Sequence, residues 1–126
     1  MTRILIADPL EESGLDILRS AGAEVTVLSA ADRPRLPELV AEVDALVVRS
    51  ATKVTRALLE SAKKLQVVGR AGVGVDNVDV DAATERGVLV VNAPTANLVS
   101  ATEHTFALLL SLVRSIPAAD ASMKTS

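Results

Sequence analysis

Cysteine is absent from the 126 residues of the chain, and histidine occurs once, at His104. Without cysteine the chain can form neither a disulfide nor a thiolate-ligated zinc site, and a single imidazole leaves carboxylates as the other ligands for a structural metal. The composition therefore predicts no metal site and is typical of a protein from a reducing compartment.

The chain also lacks an excess of positive charge and a long apolar run. It has 13 Lys and Arg residues against 16 Asp and Glu residues, a net charge of −3, whereas a nucleic-acid-binding surface needs clustered basic residues. The longest apolar stretch, from Phe106 to Val113, is far shorter than the roughly 18 residues that cross a bilayer. Met1 to Arg3 leads directly into an apolar segment without the features of a signal peptide. We therefore expect a cytoplasmic protein that has neither nucleic acid nor a membrane as a partner.

Apolar residues, at 49%, and charged residues, at 23%, occur in the proportions of a globular protein. Five short runs rich in β-branched residues are typical of buried strands, and segments of helical period separate them. This alternation predicts an α/β fold, a flavodoxin-like open parallel sheet covered on both faces. The predicted strands are Arg3 to Ala7, Val25 to Leu28, Ala45 to Val48, Leu65 to Val68 and Val88 to Val91, and the predicted helices between them are Glu12 to Ala21, Leu36 to Glu42, Thr55 to Ala62 and Val80 to Glu85.

The pattern changes after the fifth strand, where a turn-rich linker precedes a long helix. The spacing predicts that this helix runs from Leu98 to Ser115 and stops before Pro117, and that a helical pattern restarts at Asp120. Because the helix is apolar around most of its circumference, we expect a second domain or a second copy of the chain to cover it. The predicted organisation is therefore one domain over residues 1–96, a second part over residues 97–126, and a homo-oligomer formed through residues 98–115. The last segment ends without a cap or stop signal, so we expect the chain to be a truncated piece.

Two loops that follow predicted strands carry groups suited to an anion. Ligands of open α/β sheets lie outside the carboxyl ends of the strands. Arg49 and Ser50 follow the third strand and offer a guanidinium fork and a hydroxyl, although a surface arginine beside a capping serine is an equally simple interpretation. Gly72-Val73-Gly74 follows the fourth strand beside Arg70, where backbone N–H groups can converge on an anion.

The glycine pair does not complete a dinucleotide fingerprint, because Asp76 and Asn77 stand where the third glycine of Gly-x-Gly-x-x-Gly should follow. A plain tight turn before a helix capped by Asp79 or Asp81 explains the same residues without a ligand. His104, in the middle of the long helix, is more typical of a packing residue than of a catalytic base.

Taken together, four segments in this order and spacing resemble the D-isomer-specific 2-hydroxyacid dehydrogenase family. The segments are Val48 to Thr52, Gly69 to Asp79, Asn92 to Asn97 and Glu103 to Thr105, and the resemblance extends over essentially the whole chain. It implies that residues 1–96 form a substrate-binding domain and that residues 97–126 form an interdomain helix and the start of a nucleotide-binding domain.

The resemblance also implies roles for individual residues. Arg49 and Ser50 would hold a small anionic 2-hydroxy or 2-oxo acid, the backbone of Val73 and Gly74 would bind its carboxylate, and Asn97 would lie beside it at the hinge. For the cofactor, NAD, the peptide of Val73 would lie near the nicotinamide, and Thr102 would face the cofactor.

The parts of that family which perform the chemistry do not occur in these residues. The dinucleotide fingerprint, the acidic residue for the ribose, and the catalytic arginine, glutamate and histidine would all lie beyond Ser126, as would the helices that return to complete the substrate domain. His104 does not match the family's catalytic histidine. We therefore expect no catalytic residue in this chain and no activity from it alone.

Two alternatives belong to other functional classes. A free-standing anion-binding or dimerisation module, or a nonfunctional remnant, would use Arg49, the Gly72 turn and the apolar helix without chemistry. A receiver-like signalling domain shares the strand and helix order, but its acidic pair, acceptor aspartate and lysine would have to occupy Asp8-Pro9, Arg49 and Asn92.

Overall fold

The computed structural model describes residues 1–125 as two compact units, the first from Met1 to Pro94 and the second from Thr95 onward. Ser126, the last residue of the predicted second part, lies outside the described residues. The first unit contains a five-stranded, all-parallel sheet in the order β2-β1-β3-β4-β5, which confirms the predicted fold class. Its strands are β1 Arg3–Ile6, β2 Glu24–Val27, β3 Ala45–Val48, β4 Val67–Arg70 and β5 Leu89–Asn92.

Four short helices connect these strands. They are α1 Glu12–Ser20, α2 Leu36–Leu39, α3 Arg56–Ser61 and α4 Val80–Glu85, and single 3-10 turns at Arg33–Arg35 and Val40–Glu42 flank α2. Side chains cap two of the helix N-termini: Thr55 accepts from the Leu58 N–H and Asp79 from the Ala82 N–H. Asp79 is thus one of the two caps that the sequence predicted.

The two faces of the sheet are packed unequally. Residues of α3 and α4 pack with the sheet in one continuous core, which includes Leu46, Leu59 and Val68. On the other face, Leu15 of α1 packs on Ile4 and Ile6 in a small cluster, and both edge strands, β2 and β5, are mostly exposed. Helices therefore pack on both faces of the sheet, as predicted, but α1 spans only part of the second face.

An apolar cleft of about 340 Å³ lies on this second face, beside α1. Leu10, Ile17 and Leu18 line one wall, and Val47, Gly69 and Val91 line the floor. The cleft is the uncovered continuation of the small cluster on this face.

The fourth strand begins two residues later than predicted. Leu65 is buried, but it precedes β4, whose residues pair from Ala45 opposite Val67 to Val48 opposite Arg70. Its apolar side chain contributes to the core from the turn before the strand. Burial and strand pairing are separate properties, and the hydrophobic pattern reports only the first.

The second unit consists of two helices, α5 Leu98–Val113 and α6 Ile116–Lys124. Helix α5 starts at the predicted residue and ends two residues earlier than predicted. Helix α6 starts at Ile116 rather than Asp120, since Pro117 lies in its first turn, where its missing N–H costs no hydrogen bond. Ser115, with φ of 50°, adopts the left-handed conformation between the two helices.

Among residues 1–125 no single helix has the length and apolar composition of a membrane span, and α5 and α6 meet that criterion only as a pair, which is bent by 64°.

Candidate anion-binding site

The loops after β3 and β4 start side by side at the carboxyl edge of the sheet. Val48 pairs with Arg70 at the ends of these strands, and the Ala71 N–H donates to the Val48 carbonyl at 2.8 Å. Segments 49–52 and 71–74 therefore leave the sheet from neighbouring positions, at the edge where open α/β sheets bind ligands.

Asp8, directly after β1, holds the first of these loops. Its side chain is 3% exposed and accepts the Arg49 N–H at 2.7 Å, the Thr52 N–H at 3.0 Å and the Thr52 hydroxyl at 2.8 Å. The Arg33 guanidinium donates a fourth bond at 2.8 Å. Burial alone raises the pKa of the Asp8 carboxyl, but the bonds from Arg49, Thr52 and Arg33 outweigh burial and hold the pKa below its ordinary value. Asp8 is therefore a charged carboxylate whose hydrogen-bonding capacity is used within the fold.

Asn77 forms hydrogen bonds with carbonyl oxygens of the same loop. Its Nδ2 group donates to the carbonyl oxygens of Arg49 and Thr52, each at 2.6 Å. The backbones of the two segments are also joined, because the Val54 N–H donates to the Asn77 carbonyl and the Asp79 N–H donates to the Val54 carbonyl, each at 2.8 Å. The loop after β3 is thus fastened to the loop after β4.

Hydrogen bonds also connect the Gly72 turn to the end of β5. The Ala93 N–H donates to the Gly72 carbonyl at 3.0 Å, and the Asn92 Nδ2 group donates to the Val73 carbonyl at 2.5 Å. Within residues 1–125 the N–H groups of Val73 and Gly74 donate to no acceptor, and the Val73 side chain is 43% exposed. Two consecutive, accessible N–H groups are the donors that a carboxylate would use.

Of the predicted site residues, Arg49, Ser50, Val73 and Gly74 lie in these two connected loops. Arg49 and Ser50 are exposed, and within residues 1–125 the Arg49 guanidinium makes a single long bond, to the Pro9 carbonyl at 3.4 Å. Its donors are therefore available to a ligand.

The other two predicted residues, Asn97 and Thr102, belong to the second unit. Asn97 precedes α5, and its side chain makes no capping hydrogen bond. The Thr102 hydroxyl donates to the Leu98 carbonyl at 2.8 Å, so only its acceptor lone pairs remain free. Their roles at the substrate and cofactor stay predictions.

The structure does not favour the receiver-like interpretation. A phosphoryl-accepting or magnesium-binding aspartate needs free carboxylate oxygens, whereas both oxygens of Asp8 accept hydrogen bonds from the protein. No group of three or more metal-binding side chains occurs among residues 1–125. His104 lies exposed on α5 in the described part of the chain.

The sequence interpretation overlooked the supporting roles of Asp8, Asn77 and Asn92. Asp8 and Asn92 lie at or just beyond the carboxyl end of a strand, which is the available sequence signal, whereas Asn77 lies seven residues after β4. Their partners are backbone groups of other loops, however, and no pairing of this kind is visible in a residue pattern.

The sequence model of the family described as D-isomer specific 2-hydroxyacid dehydrogenase, catalytic domain, matches residues 4–123. D-3-phosphoglycerate dehydrogenase of Mycobacterium tuberculosis is 57% identical over 121 residues, which are 96% of this chain and 23% of that protein. The chain spans less than a quarter of the length of the curated relatives it matches.

Solved structures share the fold. The 2-hydroxyacid dehydrogenase of Ketogulonicigenium vulgare matches with a TM-score of 0.84 and 29% identity, over 100% of this chain and 41% of that chain. The NAD-dependent formate dehydrogenase of Staphylococcus aureus, solved in complex with NAD, matches with a TM-score of 0.73 and 28% identity, over 93% of this chain and 40% of that chain. The chain belongs to the D-isomer specific 2-hydroxyacid dehydrogenase family.

Proposed function

We propose that this chain is the N-terminal, substrate-binding part of an NAD-dependent D-3-phosphoglycerate dehydrogenase. The reaction would be the oxidation of 3-phosphoglycerate to 3-phosphohydroxypyruvate, which serves serine biosynthesis. The family membership and the 57% identity to a relative of that name support this choice among 2-hydroxy acids.

The observation that carries the proposal is that the loop with the exposed Arg49 guanidinium and the loop with the N–H groups of Val73 and Gly74 start side by side at the carboxyl edge of the sheet. Arg49 and Ser50 would hold one anionic group of the substrate, and the N–H groups of Val73 and Gly74 would bind the carboxylate next to the reacting carbon. Asn97 would bind from the hinge. Each of these contacts orients the substrate without taking part in bond breaking, and orientation by itself accelerates a reaction by orders of magnitude.

NAD would accept the hydride in the complete enzyme, as the NAD-bound relative supports. Within residues 1–125 the glycines after β4 lead into a loop, and α4 begins only at Val80, so no helix N-terminus follows them as a dinucleotide site requires. Val73 and Thr102 would contribute at most peripheral contacts to the cofactor. We infer that the chain supplies the substrate anion site and that the dinucleotide site lies elsewhere in the enzyme.

A chimera tests this proposal. The 121 residues of this chain that match the Mycobacterium tuberculosis relative would replace the corresponding segment of that protein. NADH formation would be followed by absorbance with 3-phosphoglycerate and, for comparison, D-lactate. We expect activity with 3-phosphoglycerate, none from the isolated chain, and at least a tenfold preference for 3-phosphoglycerate in kcat/KM, about 1.4 kcal/mol. A folded chimera that oxidises neither acid would refute the proposal.

A free-standing anion-binding or dimerisation module is the second candidate, and the exposed apolar side chains of α5 favour it. It predicts the same anion binding by the isolated chain, together with self-association, but an inactive chimera. The chimera assay therefore separates the two candidates.

A further inference from the structure

We propose that Asp8 and Asn77 are positioning residues, which fix the Arg49-Ser50 loop relative to the Val73 and Gly74 N–H groups. This inference rests on the proposed function, since it takes those groups as the anion site. Neither side chain needs to contact the substrate for this role.

The two side chains form hydrogen bonds with the same two residues, Arg49 and Thr52, but with different backbone groups. Asp8 accepts the N–H groups of Arg49 and Thr52, and Asn77 donates to their carbonyl oxygens. At both ends of the four-residue loop, the backbone N–H group and the carbonyl oxygen are therefore hydrogen-bonded. Ser50 and Ala51, between them, donate no backbone N–H to an acceptor within residues 1–125, so the backbone is fixed while the groups at its tip stay available.

Burying a carboxylate costs free energy, so the groups that compensate its charge show which part of the fold it stabilises. Asp8 must be compensated by several donors to stay charged at 3% exposure. Three of those donor groups belong to the loop itself, and the fourth comes from Arg33. The buried charge of Asp8 therefore mainly stabilises the conformation of residues 49–52.

Asn77 links this loop to the second half of the site. It lies three residues after Gly74 on the segment that carries the free N–H groups, and that segment is joined to the β5 end through Asn92 and Ala93. Rotation of the Asn77 amide would place Oδ1 against two carbonyl oxygens, so the donor orientation is fixed by its partners. The spacing between the backbone of residues 49–52 and the peptide donors of Val73 and Gly74 is therefore set before a ligand arrives, which lowers the entropic cost of binding.

The test measures affinity of the 126-residue chain for 3-phosphoglycerate by titration of its backbone amide resonances. The variants are Asp8→Ala, Asp8→Asn and Asn77→Ala. Asp8→Asn retains one oxygen for the two loop N–H groups, whereas Asp8→Ala removes both acceptors. Asp79→Ala is the matched control, because it removes one carboxylate and a helix cap from the same edge and leaves the loop bonds in place.

We expect Asp8→Ala and Asn77→Ala to weaken binding by about tenfold or more, with Asp8→Asn restored to within about threefold of wild type. Asp79→Ala should bind within about twofold of wild type despite a lower melting temperature. If Asp8→Ala binds as tightly as wild type, or if Asp79→Ala loses as much affinity, the positioning role is overturned and the proposed function stands. If wild type shifts none of the Arg49, Ser50, Val73 and Gly74 resonances at about 10 mM ligand, the anion site and the inference both fall.

Discussion

The guanidinium of Arg70 lies over Gly72, so that a Cβ atom on residue 72 would overlap Arg70 Nη1 and lie 2.8 Å from Cζ. A side chain at position 72 would therefore have to displace the Arg70 guanidinium. Neither Gly72 nor Gly74 has a positive φ, and the two described glycines that do are Gly22 and Gly87. The turn at the candidate site therefore does not need glycine at position 72 for a left-handed backbone; the missing side chain leaves room for the Arg70 guanidinium.

This contact predicts a background-dependent effect of Gly72→Ala. In the wild-type chain the new methyl group displaces Arg70, and the free energy of unfolding should fall by about 1 kcal/mol. With Arg70→Ala already present, the clash is gone and the same substitution should be close to neutral. Urea unfolding of the four proteins in this cycle measures the coupling.

Gly87→Ala is the comparison for a backbone effect. Gly87 has φ of 69° and open space around its Cα, so alanine should cost about 1 kcal/mol through backbone conformation alone, in either background. If Gly72→Ala lowers the free energy of unfolding by the same amount with and without Arg70, the clash is not the cause.

The lowered pKa of Asp8 predicts a specific acid dependence of stability. A carboxyl whose folded pKa lies below its unfolded value stabilises the fold fully above the unfolded value, near 4, and loses that contribution as the pH falls toward the folded pKa. At pH 7 we expect Asp8→Asn to be less stable by about 1 to 3 kcal/mol. The difference between wild type and variant should shrink below about pH 4.

Chemical unfolding between pH 3 and pH 7, roughly the window set by the ordinary carboxyl pKa, would measure this difference. The carboxylates of Glu42 and Glu85 are present in both proteins, so the comparison isolates Asp8. A difference that stays constant across the window would mean that Asp8 titrates normally in the folded chain.

Arg49 should affect ligand affinity and leave stability unchanged. Its backbone N–H and carbonyl hold the loop, while in the described part of the chain its guanidinium makes only one long hydrogen bond, to Pro9. We expect Arg49→Gln to raise the KM of the chimera for 3-phosphoglycerate by about tenfold or more, because a charge-assisted pair of bonds is lost. Arg49→Lys should recover part of the loss, since it restores the charge without the planar fork.

The control for Arg49→Gln is its melting temperature. If KM rises while the melting temperature is unchanged, the substitution affects ligand binding and not stability. A lowered melting temperature with an unchanged KM would place Arg49 among the structural residues and contradict its proposed role.

The strands and the two site loops could be predicted because each depends on local pattern. The apolar runs identify parallel strands, and the rule that ligands lie at the carboxyl ends then selects Arg49 and Gly72-Val73-Gly74. The cap at Asp79 follows from the same local chemistry, a short acidic side chain just before a helix.

The rest depends on contacts between distant residues. The four bonds of Asp8 reach residues 25 to 44 positions away, and the amide of Asn77 reaches back 25 and 28 positions. The sequence indicated a tight turn at Gly72, but it did not show that the Arg70 guanidinium folds back over this residue. How far each face of the sheet is covered could not be predicted either, because strand hydrophobicity does not say which helix packs on each face.

Helix α5 predicts self-association of the chain. Its apolar side chains are largely exposed, among them Phe106 at 58% and Leu112 at 79%, and a contiguous apolar surface of this kind favours association. We expect the wild-type chain to sediment as a dimer or larger species, and the double variant Phe106→Glu with Leu110→Glu to shift it toward monomer. Ser100→Glu, on the same helix, adds charge without removing an apolar side chain and should leave the sedimentation coefficient unchanged. A wild-type chain that sediments as a monomer at all concentrations would show that residues 98–115 form no homo-oligomer by themselves.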